Sequence, residues 1–354
     1  MKHTLLLCLI AVATATKAQT QVNDYTPGVT PDGATFFLPK TAVRVSVLAE
    51  KTTYTPGEYA AYAQRFLRLN NVSLEASVSH RILSVKQTAV GMADTSKGYT
   101  VKFNPKTSAT NIALAENGTL LAVNGAPLPV EHPTPFQAAP KAVLPEPQRF
   151  LTPEILAAGS IAKMAQLTAQ EIYDIRENRS LLIKGQADFM PNDGAQLKLM
   201  LDQLDLQDRS LTSMFSGTTC RDTTEYVYYV SPSENINGRV LFRFSRYFGM
   251  VDADDVSGEP YAISVTDLQT VPKAEEPMKK SKKGENGLYY NVPGRLRSVI
   301  SHDQQVLADD EFPAAQFGHV ELLSGDLFNK HYGTRLWLNP LTGAIDRLEA
   351  EQPK

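Results

Sequence analysis

The stretch Val43-Arg44-Val45-Ser46-Val47 alternates apolar and polar side chains over its whole length. A two-residue period places the apolar side chains on one face of a β-strand, which is typical of a half-buried strand. Asn117-Gly118 is a strong signal for a tight hairpin turn. Further strand-like segments occur at residues 79–87, 99–103, 112–115 and 120–123. Residues 19–126 are therefore predicted to form an N-terminal β-rich domain.

One short helix is predicted inside this domain. Thr55 is expected to be its N-cap, with Pro56 in the first turn and Glu58 completing a capping box. The apolar residues that follow at three- and four-residue steps are Tyr59, Tyr62, Phe66 and Leu69. This spacing gives the helix one buried face.

Seven prolines lie between Pro127 and Pro147, where the chain has little periodic apolar pattern. Proline fixes φ and lacks a backbone N–H, so a segment of this kind runs extended across a surface. Residues 127–148 are therefore predicted to be a proline-rich linker.

Two amphipathic helices are predicted after the linker. Thr152-Pro153 opens the first helix, Asn192-Asp193 opens the second, and Gly217 ends it. Their apolar residues recur at helical spacing: Ile161, Met164, Leu167, Ile172 and Ile175, then Leu197, Met200, Leu201, Leu204, Leu211, Met214 and Phe215. Residues 149–217 are expected to form a long helical hairpin.

The last third of the chain is again rich in strand-like segments. They lie at residues 224–230, 240–244, 261–265, 296–301, 335–338 and 344–348. Asn339 to Gly343 supply a turn between the last two, and the charged stretch 273–287 is expected to be a loop. The predicted fold class is α+β, with two β-rich domains, residues 19–126 and 218–354, and the long helical hairpin between them.

The first eighteen residues have the pattern of a secretory signal. Lys2 gives a basic start, residues 5–13 are apolar, and Thr16-Lys17-Ala18 supplies small residues for cleavage. The apolar run is shorter than the roughly 20 residues that a transmembrane helix needs. We expect a signal peptide at residues 1–18, with cleavage after Ala15 as the alternative. The protein is then exported, periplasmic or extracellular, and has no transmembrane segment.

Composition limits the partners and the cysteine chemistry. Cys8 lies inside the apolar run after three leucines, a position that argues against lipid attachment, so Cys220 is the one cysteine left after cleavage. No internal disulfide is therefore expected. The formal net charge is −3, and the signal removes two lysines and no acid. This acidic balance argues against nucleic acid as the main partner.

Three short matches point to the penicillin-recognising acyl-transfer enzymes. Ser160-Ile161-Ala162-Lys163 matches S-x-x-K, Ser233-Glu234-Asn235 matches S-x-N, and Lys282-Lys283-Gly284 loosely matches K-T-G. The third match lies in a charged loop without strand pattern. Lys163 is expected to point away from the buried stripe of the first helix, and Ser160 is expected to lie well inside that helix. An exported serine hydrolase or acyl transferase is therefore the alternative function, and neither Ser160 nor Lys163 is assigned a catalytic role.

The candidate metal ligands lack the spacing of a known site. An EF-hand loop that begins at Asp252 needs glycine and glutamate where Ser257 and Ile263 stand. The acidic cluster Asp252, Asp254, Asp255 and Glu259 is therefore expected to be a solvated turn. The histidines are dispersed along the chain: His80, His132, His302, His319 and His331. No catalytic, metal-binding or cofactor-binding residue is assigned, and no cofactor is expected.

Tyrosines are a further candidate for binding, as a sugar-binding face. They are Tyr226, Tyr228, Tyr229, Tyr289 and Tyr290. Tyrosine is also favoured in strands for packing alone, so this pattern is a weak signal for sugar.

Several longer stretches carry a family resemblance. They are residues 38–41 with 54–59, residues 167–176, and residues 315–318 with 322–325. These stretches resemble an uncharacterised family of exported Bacteroidetes proteins, a domain of unknown function. The resemblance implies a shared architecture and an export destination, and it implies no activity. We expect a soluble cell-envelope protein that binds or scaffolds another molecule, an envelope protein or a glycan, without catalysing a reaction.

Overall fold

The computed structural model of the protein describes residues 21–24, 34–102, 111–131, 133–141, 144–191, 193–272, 285–328 and 333–351. The predicted signal peptide, His132, Asn192, His331 and the Lys282-Lys283-Gly284 match lie outside these residues. So does the charged loop, except for residues 285–287.

Antiparallel strands recur along the described chain. In chain order they are β1 (Gln21–Asp24), β2 (Ala34–Thr55), β3 (Ser77–Lys102), β4 (Ile112–Leu114), β5 (Leu120–Val123), β6 (Thr218–Val230), β7 (Ile236–Ser245), β8 (Gly249–Val251), β9 (Glu259–Asp267), β10 (Glu285–His302), β11 (Gln305–Ser324), β12 (Gly333–Leu338) and β13 (Ile345–Glu351). The helices are α1 (Ala63–Leu67), α2 (Pro153–Leu156), α3 (Ile161–Lys184) and α4 (Gly194–Ser216). Short 3-10 helices lie at Ala60–Tyr62, Pro147–Phe150 and Gly325–Phe328.

The strands form three antiparallel sheets. The first contains β6, β2 and β3, the second contains β8, β7, β9, β10 and β11, and the third has the order β13-β12-β5-β4. The short strand β1 hydrogen-bonds to both β3 and β10 and so joins the first two sheets into one array.

The predicted fold class, an α+β protein with two β-rich domains and a long helical hairpin between them, is wrong. The chain is mostly β, with 48% strand and 23% helix. Strands from the two predicted β-rich domains pair with each other, β2 with β6 and β5 with β12. The helices therefore do not separate two domains. Alternation along a strand reports which face is buried, and it carries no information about which distant strand lies alongside.

The main core lies between the β2–β6 ribbon and strands β7, β9 and β10. Val43, Val45 and Val47 of β2 are fully buried there, which confirms the strand predicted from their alternation. The other buried members are Ala49, Val230, Phe242, Phe244, Tyr261, Ile263, Val265, Leu296, Ile300 and Ala314. This core draws on strands before and after the helices, so both halves of the chain must fold together.

The helices form their own core beside the ends of β2 and β6. Its most buried side chains include Tyr59, Ile172, Leu211 and Phe215. The predicted caps at Thr152 and Asp193 are confirmed, because each side chain accepts a hydrogen bond from the backbone N–H three residues later. Such caps satisfy N–H groups that a helix leaves free at its start.

The predicted helix start at Thr55 is wrong. Thr55 is the last residue of β2, and α1 begins only at Ala63, with no side-chain cap. The backbone N–H of Tyr59 donates to the Met214 carbonyl at 2.7 Å. A Cβ on Gly57 would lie 2.2 Å from that same oxygen. The approach of α4, which is a tertiary contact, therefore decides the path of this segment.

Strand β11 has no counterpart among the predicted strands. Its sequence contains Pro313, Gly318 and the acidic run 309–311, which are all unfavourable in strands. The strand pairs with β10 and has a register shift near Gly318. A Cβ on Gly318 would lie 1.8 Å from the Val292 carbonyl oxygen, so glycine permits the close approach of the two strands there.

Candidate functional site

A site with several charged and hydroxyl-bearing side chains lies where α4 ends and β6 begins. Gly217 joins the two elements with a φ of 73°, a left-handed value that favours glycine. An added Cβ would lie 2.5 Å from the Thr55 carbonyl oxygen. This tight turn sets the last turns of α4 beside the first residues of β6.

A cleft of about 840 Å³ opens at this turn. Arg209 and Thr212 of α4 line one side, Thr219 and Arg221 of β6 line another, and Lys141 of the proline-rich segment completes the wall. The volume is within the range of roughly 300–1,000 Å³ that is usual for small-molecule sites. We call it the α4–β6 cleft.

Two of its cations are neutralised by neighbouring carboxylates. The Arg176 guanidinium donates to both oxygens of Asp208 at 3.0–3.2 Å and to the Thr212 hydroxyl at 3.2 Å. Lys141 forms an ion pair with Asp222. These pairs hold the wall of the cleft in place.

The other two cations have no such partner. Arg209 and Arg221 are exposed, and within the described ranges neither guanidinium group makes a hydrogen bond or an ion pair. The hydroxyls of Thr218 and Thr219 are also exposed and without a hydrogen-bond partner among the described residues. The cleft therefore offers two guanidinium forks and two free hydroxyls to a bound molecule.

Glu225 on β6 fastens the proline-rich segment near this cleft. Its carboxylate accepts hydrogen bonds from the Ser46 hydroxyl at 2.5 Å, the Phe136 backbone N–H at 3.0 Å and Arg44 at 2.9 Å. The hydrogen bond from Ser46, followed by those from Phe136 and Arg44, lowers the pKa of Glu225 to about 2. The carboxylate is therefore charged at any ordinary pH and keeps the segment that carries Lys141 against the sheet.

Ser160 and Lys163 of the S-x-x-K match have a local structural role. The expectation that Ser160 lies inside a helix is wrong, because α2 ends at Leu156 and Ser160 is the N-cap of α3. Its hydroxyl accepts from the backbone N–H of Lys163 at 3.3 Å. The Asn235 side chain instead accepts from the backbone N–H of Asp267. In the described part of the chain, no hydrogen bond or ion pair joins the two matches.

The acidic cluster is held as a turn by its own hydrogen bonds. The Asp255 carboxylate accepts from the Ser257 backbone N–H at 2.8 Å, and this bond lowers the pKa of Asp255. Arg243 donates to the backbone carbonyls of Ala253 and Gly258. Across the described residues, no group of three or more His, Cys, Asp or Glu side chains is arranged to hold a metal ion.

The tyrosines do not share a face. Tyr228 stacks on Phe242 in the main core, and Tyr289 stacks on Tyr99 in a second core. Tyr290 donates to Glu321 at 2.6 Å. Tyr229 is more than half exposed. A common sugar-binding face is therefore ruled out for these side chains, and packing explains most of them.

Sequence reasoning did not single out Arg209 and Arg221. Each is an ordinary surface arginine when read alone, and the two lie on elements of different kind. The one local signal is Gly217 between them, which marks the sharp turn that brings a helix end and a strand start together.

The fold and the cleft together define a mostly β protein whose arginine-lined pocket lies at a helix-to-strand turn. Comparison with known families identifies the group: the chain belongs to the family described as "Domain of unknown function (DUF4831)", whose model matches residues 32–346. The predicted membership in an uncharacterised family is thereby confirmed. No curated protein matches the chain, and no solved structure matches it. Within the described ranges, no helix combines the length and apolar character needed to cross a membrane.

Proposed function

We propose that this protein is an exported binding protein of the cell envelope that holds an acidic saccharide in the α4–β6 cleft. The observation that carries the proposal is a pair of arginines, Arg209 and Arg221, that have no partner among the described residues and line a cleft of about 840 Å³. An acidic saccharide would be the ligand of the non-catalytic binding protein that the sequence predicts.

The arginines set the charge of the ligand. A guanidinium group presents a planar fork of N–H donors that matches a carboxylate or phosphate. Two unpaired cations on neighbouring walls favour a molecule with negative charge, while Arg176 and Lys141 are already occupied by Asp208 and Asp222.

The hydroxyls support a saccharide. Thr218 and Thr219 present free hydroxyl groups beside the arginines, and such groups donate to and accept from sugar hydroxyls. The cleft volume suits a ligand of two or three sugar units, because sites of roughly 300–1,000 Å³ hold drug-sized molecules.

Isothermal titration tests the proposal with a galacturonic acid trimer and the neutral galactose trimer as probes. The wild-type protein is expected to bind the acidic probe and not the neutral one. In the Arg209→Ala/Arg221→Ala variant we expect binding to weaken at least about tenfold, which corresponds to about 1.4 kcal/mol. Added salt should weaken wild-type binding as well, because both arginines are exposed.

Arg239→Ala is the matched control, because Arg239 is an exposed arginine on β7 that lies outside the cleft and makes no ion pair with any residue the structure describes. It should bind the acidic probe like the wild-type protein. The proposal fails if the wild type binds neither probe, if it binds both equally, or if the control and the double variant lose affinity together.

Export is the second part of the proposal. The basic start, the apolar run and the small residues before Gln19 support it, as does the resemblance to exported Bacteroidetes proteins. Cell fractionation and N-terminal sequencing test it: we expect the isolated protein to begin at Gln19 and to fractionate with the envelope. A protein that begins at Met1 and fractionates with cytoplasmic markers would contradict this part and leave the cleft untouched.

A further inference from the structure

The free end of the α3–α4 helix pair exposes large apolar side chains. Phe189 is 64% exposed, Leu199 61%, Ile183 58% and Met190 37%. Four apolar side chains about half exposed correspond to roughly 400 Å² of apolar surface, taking about 200 Å² for each. A patch of this size matches the largest apolar patch of a typical monomer, and such patches often serve in binding. We call it the α3–α4 tip.

A groove of about 480 Å³ lies next to these side chains. Leu182 of α3 and Met200 and Leu204 of α4 line it, with Phe189 at its edge. The tip therefore carries both an apolar depression and protruding apolar side chains. Such a surface is complementary to a second copy of itself.

The charged side chains of α3 and α4 form ion pairs near the sheet but not toward the tip, among the described residues. Near the sheet, α3 and α4 are joined by the ion pairs Arg176–Asp208 and Arg179–Asp205. These pairs also show that the two helices run antiparallel. The four charged groups of these two pairs are matched with each other, so they offer little to a protein partner.

Beyond the second pair, the charges around the apolar patch are unpaired. Lys184, Asp188, Lys198 and Asp202 are all exposed, and none of them makes an ion pair within the described residues. The rim thus carries two cations and two anions. A two-fold axis can place each cation of one copy near an anion of the other.

We propose that the protein forms a two-fold symmetric dimer through the α3–α4 tip, with the apolar patch at the centre and the four unpaired charges at the rim. A specific interface buries about 800 Å² on each partner, so the apolar patch supplies about half of it and the polar flanks of the helices supply the rest. An anionic membrane fits less well, because Asp188 lies directly beside Phe189.

Sedimentation velocity over a range of about 1–100 μM tests for the dimer. The dimer is expected at the upper concentrations, because interfaces of this size have dissociation constants in the micromolar range or below. The Phe189→Ser/Leu199→Ser variant should raise the dimer dissociation constant at least about tenfold. Val256→Ser is the matched control, because Val256 is 87% exposed and lies in the turn before β9; it should dimerise like the wild type.

Charge-reversal variants of the rim distinguish binding to a second copy of this chain from binding to any other partner. The all-acidic rim (Lys184→Glu/Lys198→Glu) and the all-basic rim (Asp188→Lys/Asp202→Lys) should each be monomeric, because like charges meet across the axis. An equal mixture of the two should form heterodimers. Circular dichroism checks that both variants are folded, and binding of the acidic trimer checks the α4–β6 cleft separately.

A wild-type protein that stays monomeric at about 100 μM overturns the proposal, as do charge variants that dimerise alone or fail to pair when mixed. Each of these outcomes leaves the cleft proposal standing.

Discussion

Among single residues, Glu225 makes the most consequential set of contacts near the cleft. Its carboxylate joins β6 to Ser46 and Arg44 on β2 and to the Phe136 backbone of the proline-rich segment. The pKa of Glu225 falls to about 2 because the hydrogen bond from Ser46, and then those from Phe136 and Arg44, favour the charged form. A sequence shows a glutamate in a strand and cannot show that three distant groups converge on it.

The lowered pKa predicts a specific loss of stability in acid. A carboxyl group whose folded pKa lies below its unfolded value of 4.5 stabilises the fold above pH 4.5, and this contribution is lost as the pH falls toward 2. A shift of this size corresponds to at most about 3–4 kcal/mol, and partial exposure to water reduces the expected effect to about 1–2 kcal/mol. Glu225→Gln should therefore lower the free energy of unfolding at pH 7 and flatten its decline between pH 4.5 and 2.

Urea unfolding at several pH values measures this difference. Glu234→Gln is the control, because Glu234 is exposed on the loop after β6 and has no partner among the described residues. Equal pH profiles for Glu225→Gln and the wild type would contradict the prediction.

At the level of elements, the break between α2 and α3 shows how a cap and a catalytic motif share one pattern. An N-cap serine bonds to the backbone N–H three residues later, which is the same spacing as S-x-x-K. Ser160 makes this bond to Lys163. The predicted apolar stripe, which starts at Ile161, lies wholly within α3. The helix start was assigned to the cap signal at Thr152, which opens only the short helix α2, so the break before α3 was missed.

We expect that replacing the N-cap residue Ser160 lowers the stability of the protein without changing its function. Ser160→Ala removes the acceptor for the first turn of α3 and should lower the free energy of unfolding by about 1 kcal/mol. Ser233→Ala, on the exposed loop before β7, should change it by less than about 0.5 kcal/mol. Thermal or urea unfolding of both variants checks this, and two equal values would remove the capping role.

Across the whole molecule, a cluster of side-chain amides joins the sheets. Gln316 on β11 donates to the Thr41 carbonyl at 2.8 Å and accepts from the Thr41 backbone N–H at 3.0 Å, so its amide acts as a strand partner for β2. Asn291 on β10 is fully buried and donates to the carbonyls of Pro39 and Thr342. Two of the family-resembling stretches, residues 38–41 of β2 and 315–318 of β11, thus meet at this junction.

Breaking this junction is expected to weaken the entire fold. Gln316→Ala leaves the buried N–H and C=O of Thr41 without partners, at about 1–3 kcal/mol for each unsatisfied group. We expect a loss of about 2–4 kcal/mol in one cooperative transition, because the junction belongs to strands from both halves of the chain. Gln305→Ala, at the exposed start of β11, should be nearly neutral. Two separate transitions in urea would show that the sheets fold independently.

The sequence by itself determined features that depend on neighbours a few residues apart. Alternation at residues 43–47 set a buried strand face, Asn117-Gly118 set a hairpin turn, and Asp193 set the start of α4. Long stretches of the chain also sufficed to place it in its uncharacterised family. These signals are local because caps, turns and side-chain alternation are satisfied within one or two turns of the backbone.

Only the tertiary structure decided which strands are neighbours and where the cleft lies. β2 pairs with β6 across more than a hundred intervening residues, and no local pattern encodes a partner at that distance. The packing of α4 beside β6 at the Gly217 turn brings Arg209 and Arg221 into one cleft. The contact of α4 with the segment after β2 moves the helix start from Thr55 to Ala63. Strand pairing is chosen by the packing of the assembled core, and that packing exists only when both halves of the chain are folded.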